Sequence, residues 1–150
     1  NFNPNDLIDS YFQKEARKRG LAVGGFESVE FQMELLYGET TDDEERKALL
    51  KVVDDKEALL AEMKAMTEAY FSFDMKGIHA LTIKSVETGE MTPEEFREMI
   101  TDRNRRWVEV MPAIMEVKPT LFVVGAGHLP GEEGVLELLK AQGYKIKAVK

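Results

Sequence analysis

The sequence predicts an α/β fold that is helix-rich, with a small, mostly parallel sheet and a βαβ unit at its C-terminal end. Short apolar runs at residues 21–26, 120–124 and 144–149, close to glycines, are typical of buried strands. The stretches between these runs place apolar residues at helical spacing, with polar starts and glycine stops. A helical stretch separates the last two runs, and this order of elements implies a right-handed parallel pairing.

The first 90 residues are expected to be mostly helical. The first helix begins around Asn3 and Asp6, because Asn is a good N-cap and an acidic residue complements the positive end of a helix. Asp54 and Asp55 mark a candidate interruption within the third helix. The helices predicted in this region cover residues 4–19, 28–37, 41–73 and 75–86.

The remainder alternates between helix and strand. Thr92 and Glu95 have the spacing of a capping box, and the helix that they begin runs toward residue 117. Asp102 and Pro112 are candidate positions for a break or kink in it. The elements that follow are a strand at 120–124, a helix at 131–142 and a strand at 144–149. Three strands are few for a doubly wound sheet, so the sheet is either small and covered by helices or completed by other sequence or a partner.

Composition limits the classes of function. A chain of 150 residues and 17.0 kDa suits a single domain over residues 1–150. The net charge of −8 argues against a nucleic-acid partner, which would require basic groups to neutralise phosphates. No window approaches the roughly 20 apolar residues that span a bilayer. The absence of cysteine excludes disulfides, thiolate catalysis and cysteine-based zinc sites.

Two strand ends carry side chains suited to a site. His128 follows the apolar run at 120–124, and Gly125 and Gly127 let the backbone bend tightly there. His128 is either a metal ligand or general base, or a histidine that hydrogen-bonds to local backbone. Glu27 follows the run at 21–26 and would share the rim of a parallel sheet with His128. By itself, however, Glu27 is better explained as an exposed residue or one in the first turn of the next helix.

One basic cluster and one further histidine could also carry chemistry. Residues 103–107 form the densest basic cluster, in which an arginine could clamp a carboxylate or phosphate, or simply face solvent. His79, the second histidine, lies in a helical stretch and reads as a surface or packing residue.

Four segments, taken in order, carry a more specific signal. The strongest is 123–135, Val-Val-Gly-Ala-Gly-His-Leu-Pro-Gly-Glu-Glu-Gly-Val, followed by paired leucines and a Gly-Tyr at 143–144. Residues 9–20, 25–32 and 103–107 (Arg-Asn-Arg-Arg-Trp) agree with it. Together these segments resemble the TraB/GumN family, which is related to the Tiki proteases.

The resemblance implies a hydrolase or peptidase that depends on a divalent metal: manganese, cobalt or zinc. Carried over by position, Gly125 and His128 match the second Gly-x-x-His motif of the Tiki branch, Glu27 matches its glutamate and Arg103 its arginine. His128 and Glu27 are thus the implied metal ligands, and His128, Glu27 and Arg103 the implied catalytic residues.

The first Gly-x-x-His motif of that pattern has no counterpart, because His79 follows Lys76 where a glycine is required. The resemblance therefore covers only the second half of a family member. It implies that this chain belongs to a larger TraB/GumN-type fold and is inactive alone.

An alternative function stays open at this point, namely a non-catalytic peptide-binding or scaffold module of the same fold. The expected partners are a peptide or small-molecule substrate. Unpaired sheet edges would favour a homo-oligomer or pairing with the N-terminal half. The resemblance also implies an extracytoplasmic, bacterial location.

Overall fold

A computed structural model describes residues 7–38 and 41–149, and the regular structure of these residues is entirely helical. The predicted helix start at Asn3 and Asp6 lies outside the described residues. The helices are α1 (Ile8–Lys18), α2 (Val29–Tyr37), α3 (Asp42–Asp54), α4 (Lys56–Phe71), α5 (Met75–Glu87), α6 (Pro93–Phe96), α7 (Asp102–Val117) and α8 (Val135–Ala141). A π-helical turn, Arg97–Thr101, joins α6 to α7, and a 3₁₀ turn, Ala126–His128, precedes α8.

The chain separates into two compact units, Asn1–Gly38 and Glu39–Lys150. The first contains α1 and α2, and the second contains the remaining helices. The single domain expected from the sequence stays a prediction.

The sequence correctly predicted the end of α1 and both ends of α2. Gly20, expected to stop α1, adopts a φ of +67°, a left-handed conformation that glycine adopts without steric cost. Ser28, expected to cap α2, accepts a hydrogen bond from the backbone N–H of Phe31 at 3.1 Å through its hydroxyl oxygen. Local side-chain and backbone preferences therefore decide where α1 ends and where α2 begins.

In the second unit, α4 packs on α5 and α7 packs on α8, while the 3₁₀ turn contacts α5. The predicted interruption of the third helix is confirmed, because Asp55 separates α3 from α4. Both hydrogen bonds of the predicted capping box form, since Thr92 and Glu95 each accept from the other's backbone N–H. The helix continues through Pro112, so no break occurs there.

The predicted sheet and its βαβ unit are wrong. Residues 21–26, 120–124 and 144–149 form no strand, and no sheet occurs within residues 7–38 and 41–149. A strand requires a neighbouring strand whose backbone groups complete its ladder, and these runs have none among the described residues. Their apolar side chains are largely exposed, with Leu121 at 67% and Val149 at 95% of full exposure.

Residues 7–38 and 41–149 contain no sheet, so the argument for self-association through unpaired sheet edges does not apply to them. Self-association itself stays a prediction. No described helix combines the length and apolar character needed to cross a membrane.

The packed centre of the second unit is small and contains polar groups. Its most deeply buried large side chains are Met111, 1% exposed, and Asn104, fully buried. Both lie on α7. His128 is also buried, at 8% exposure. The buried apolar residues around them are Ala69, Ile78, Trp107, Val108, Val135 and Leu139. A fully buried amide and a buried imidazole in one small core need hydrogen-bond partners, since burying unpaired polar groups costs free energy.

Candidate functional site

His128 is the last residue of the 3₁₀ turn rather than the residue after a strand. Its backbone N–H donates to the carbonyl of Gly125 at 2.9 Å, which closes the turn. A Cβ atom built on Gly125 would lie 3.5 Å from Cδ2 of the His128 ring, an ordinary van der Waals distance. The turn therefore folds its own backbone against the imidazole and directs the ring into the core.

Asn104 on α7 is the principal hydrogen-bond partner of the His128 ring. Its Oδ1 lies 2.7 Å from Nδ1 of His128, and its Nδ2 donates to the backbone carbonyl of Glu133 at 2.7 Å. A carbonyl can only accept, so the contact with Glu133 decides which amide atom of Asn104 is nitrogen. The oxygen therefore faces His128.

This orientation fixes the tautomer of the neutral imidazole. Because Oδ1 of Asn104 accepts, Nδ1 of His128 must carry the proton and donate it. The lone pair of the neutral ring then lies on Nε2. A histidine that ligates a metal or acts as a base commonly has its other ring nitrogen bonded to a carbonyl or carboxylate in this way.

Arg103 and His128 both contact the ring of Trp107. The guanidinium carbon of Arg103 lies 4.9 Å from the centre of the indole, within the range of a cation–π interaction. The His128 and Trp107 rings are 4.5 Å apart at an angle of 49°. Arg103 also donates from Nη1 to the backbone carbonyl of Met99 at 3.1 Å. The structure thus places the predicted arginine and histidine around one buried aromatic ring.

Arg105 and Glu133 form a bidentate ion pair beside this cluster. Nε and Nη2 of Arg105 each donate to one carboxylate oxygen of Glu133, both at 2.8 Å. Hydrogen bonding to Arg105, together with its positive charge, lowers the pKa of the Glu133 carboxyl below its usual range, and the same contact raises that of Arg105. Glu133 therefore binds α7 twice: its side chain accepts from Arg105 and its backbone carbonyl accepts from Asn104.

Residues 131–134 form a tight turn that carries Glu133. The Gly134 N–H donates to the Gly131 carbonyl at 3.0 Å, and Gly131 has a φ of +91°. The His79 ring lies directly against Gly131, where an added Cβ would be 2.5 Å from Cε1 of His79. The prediction of a packing role for His79 agrees with this contact. The helix predicted over residues 131–142 begins only at Val135, after the turn.

Glu27 lies in the first unit, half-buried, just before α2. Its Oε2 accepts a hydrogen bond from Nε2 of Gln32 at 3.2 Å. The argument that Glu27 and His128 share the rim of a sheet no longer applies, because no sheet is present in the described residues. Their pairing stays a prediction.

A cleft of about 540 Å³ opens beside the 3₁₀ turn. Its walls come from α4, α5 and the turn, and no lining residue is charged. The hydroxyls of Thr67 and Thr82 donate to the helix carbonyls of Met63 and Ile78, so these two residues add little polarity. The lining residues are Met66, Thr67, Tyr70, Phe71, Ile78, Thr82, Ala126 and Gly127.

Comparison with known sequences assigns the chain to a family. The sequence profile of the TraB/PrgY/gumN family matches residues 1–148. The chain belongs to the TraB/PrgY/gumN family. The resemblance stated from the four segments is therefore confirmed.

A curated member of this family gives a more distant comparison. The chain is similar to the metalloprotease TIKI2 of zebrafish (Danio rerio), with 24% identity over 165 residues. The aligned region covers 94% of this chain and 32% of that relative, so the chain spans about a third of the length of the protein it matches. No solved structure matches the chain. The bacterial, extracytoplasmic location implied by the resemblance stays a prediction.

The name of the zebrafish relative suggests a divalent metal. Within residues 7–38 and 41–149, no group of three or more histidine, cysteine, aspartate or glutamate side chains could bind a metal ion. His128 offers an imidazole in the appropriate tautomer, but the described residues do not complete a metal site around it.

Sequence reasoning selected His128 and Arg103 and missed the residues that orient the histidine. Asn104 was part of the segment 103–107, yet its amide was given no role. Arg105 and Glu133 were not linked at all. An uncharged amide inside a run of arginines was the available signal for Asn104. Nothing in the sequence signalled the Arg105–Glu133 pair, which joins residues 28 positions apart.

Proposed function

We propose that this chain supplies a histidine-bearing part of a divalent-metal-dependent hydrolase that acts on peptides. The observation that carries this proposal is the contact between Asn104 and His128, which places the imidazole lone pair on Nε2. Membership of the TraB/PrgY/gumN family and the similarity to a metalloprotease support it.

In this proposal, His128 is a metal ligand or base through Nε2. The role of Glu27 as a ligand or base, which the family resemblance implies, stays a prediction. Arg103 stabilises negative charge that develops on a carbonyl oxygen of the substrate. Its guanidinium contacts the same indole ring as His128, which supports a shared location for these two groups. A divalent metal, when bound, would supply Lewis-acid polarisation of the scissile carbonyl. We expect the 150-residue chain alone to lack peptidase activity, because the described residues do not complete a metal site.

The test uses paramagnetic broadening, which detects weak binding. The chain contains two histidines, so two sets of imidazole signals can be followed by NMR during titration with Mn²⁺. We expect the His128 signals to broaden at lower Mn²⁺ concentration than those of His79. Equal broadening of both rings, or none at either, would overturn the assignment of His128 as a ligand.

A non-catalytic peptide-binding module is the second candidate, favoured by the uncharged cleft beside the 3₁₀ turn. Its volume is in the range of known ligand sites. Under this reading, peptides with apolar side chains bind without turnover, and binding survives His128→Ala but is lost when Thr82→Trp fills the cleft. Loss of binding in His128→Ala with retention in Thr82→Trp would exclude it.

A further inference from the structure

The tight turn at 131–134 is attached to α7 through a single residue. Glu133 accepts two hydrogen bonds from Arg105 on its carboxylate and one from Asn104 on its backbone carbonyl. Consecutive residues of a helix point in different directions, yet Asn104 and Arg105 both reach Glu133. They do so because one binds its main chain and the other binds its side chain.

The geometry of the turn couples these two attachments. Gly131 and Gly134 close it with a backbone hydrogen bond of 3.0 Å, and a Cβ on Gly134 would collide with the carbonyls of Leu129 and Pro130. Glu133 therefore lies within a turn that a backbone hydrogen bond closes and that approaches Leu129 and Pro130 closely. When Arg105 binds the Glu133 carboxylate, it therefore also sets the position of the Glu133 backbone carbonyl.

The ion pair and the Asn104 contact differ in burial, and therefore in how much they contribute to stability. The side chains of Arg105 and Glu133 remain 57% and 42% exposed, a setting in which ion pairs contribute little to stability. Bidentate geometry nevertheless gives such a pair a defined direction. Asn104, in contrast, is fully buried. The exposed pair is thus suited to setting a position rather than to stabilising the fold.

We propose that Arg105 and Glu133 are positioning residues that set the tautomer of His128. The pair places the Glu133 carbonyl, the carbonyl fixes the amide orientation of Asn104, and the amide oxygen keeps the proton of His128 on Nδ1. This inference rests on the proposed function and extends it, because it names the surface ion pair that keeps Nε2 of His128 unprotonated. It would stand even if no metal were bound, because the tautomer is a property of the free protein.

The experiment reads the tautomer from the ¹⁵N shifts of the His128 ring without metal or substrate. It is done at a pH where the ring is neutral, because an imidazolium has a proton on both nitrogens and would also bring the two shifts together. In Arg105→Met and Glu133→Ala, we expect the shifts of Nδ1 and Nε2 to move toward each other as the two tautomers mix. Arg105→Lys keeps the positive charge but cannot donate two parallel hydrogen bonds to Glu133. Its ¹⁵N shifts should therefore lie between those of the wild type and Arg105→Met. The His79 ring provides an internal reference.

Two further variants keep the result interpretable. Glu137→Gln removes the ion pair between Glu137 and Lys140 on α8, and it should leave the His128 shifts unchanged. The double variant Arg105→Glu/Glu133→Arg restores opposite charges and should recover part of the wild-type difference between Nδ1 and Nε2. Unchanged shifts in folded Arg105→Met and Glu133→Ala would overturn the proposal. So would an equal effect of Glu137→Gln. Should either single variant not fold, failure of the charge reversal to recover the difference would overturn it.

Discussion

Oδ1 of Asn104 lies 2.7 Å from Nδ1 of His128, and both side chains are buried in the core of the second unit. The contact links a segment recognised by its Arg-Asn-x-x-Trp pattern to the Gly-x-x-His motif 24 residues further along the chain. It gives both motifs of this TraB/PrgY/gumN family member a common physical role, the orientation of one imidazole. Four predictions follow from this core.

Asn104→Ala should destabilise the second unit strongly. The substitution leaves the His128 ring and the Glu133 carbonyl without the partner that each now has in Asn104. Each buried polar group left unsatisfied costs about 1–3 kcal/mol. The free energy of unfolding from urea titrations should fall accordingly, whereas Glu109→Ala, at an exposed position on α7, should change it by about 0.5 kcal/mol or less. Similar losses in the two variants would contradict the account.

Gly131→Ala should be destabilising for two reasons that can be separated. The φ of +91° is unfavourable for any residue with a Cβ, at a cost of about 1–2 kcal/mol, and the new Cβ collides with the His79 ring. Adding His79→Ala should relieve the collision and recover only part of the loss. Gly127→Ala is the matched control, since its Cβ would meet no atom within 4 Å. A Gly127→Ala variant as unstable as Gly131→Ala would refute this reading of the turn.

Trp107 should contribute through its ring as well as its volume, because it contacts both His128 and Arg103. Trp107→Ala is expected to cost about 3–5 kcal/mol of unfolding free energy, as is typical of large aromatic truncations in cores. Trp107→Phe retains a ring and should cost less than half as much. Circular dichroism during urea unfolding measures both. Equal costs for Phe and Ala would mean that the ring contacts contribute nothing.

The Arg105–Glu133 contact should weaken in acid. Arg105 lowers the pKa of Glu133 from its usual value of 4.5, so ionisation of the Glu133 carboxyl stabilises the folded state. This contribution is present above pH 4.5 and is lost as the pH falls through the lower, folded-state value. The ¹³C shift of the Glu133 carboxyl should therefore titrate below pH 4.5 in the wild type and closer to 4.5 in Arg105→Met. Coincident titration curves would show that the ion pair does not form in solution.

The sequence predicted features that depend on neighbours along the chain. Ser28 and Thr92 begin helices and Gly20 ends one because each acts within three or four residues. The sheet was mispredicted because an apolar run such as 120–124 becomes a strand only when a distant segment pairs with it. The runs themselves carry no information about that partner.

The candidate site shows the same difference between features set by chain neighbours and features set by distant segments. The sequence singled out His128 and Arg103 as candidates because they belong to short motifs. The contacts that define the site, Asn104 to His128 and Asn104 to Glu133, join residues 24 and 29 positions apart. Their geometry depends on how α7 packs against the turn before α8, which no local pattern encodes.

The ¹⁵N spectrum of the His128 ring in the wild-type chain at neutral pH tests the central claim most directly. We expect a protonated Nδ1 and an unprotonated Nε2, with loss of this difference in Asn104→Leu, which has a similar size but no oxygen to accept the Nδ1 proton. A wild-type ring that carries its proton on Nε2 would contradict it.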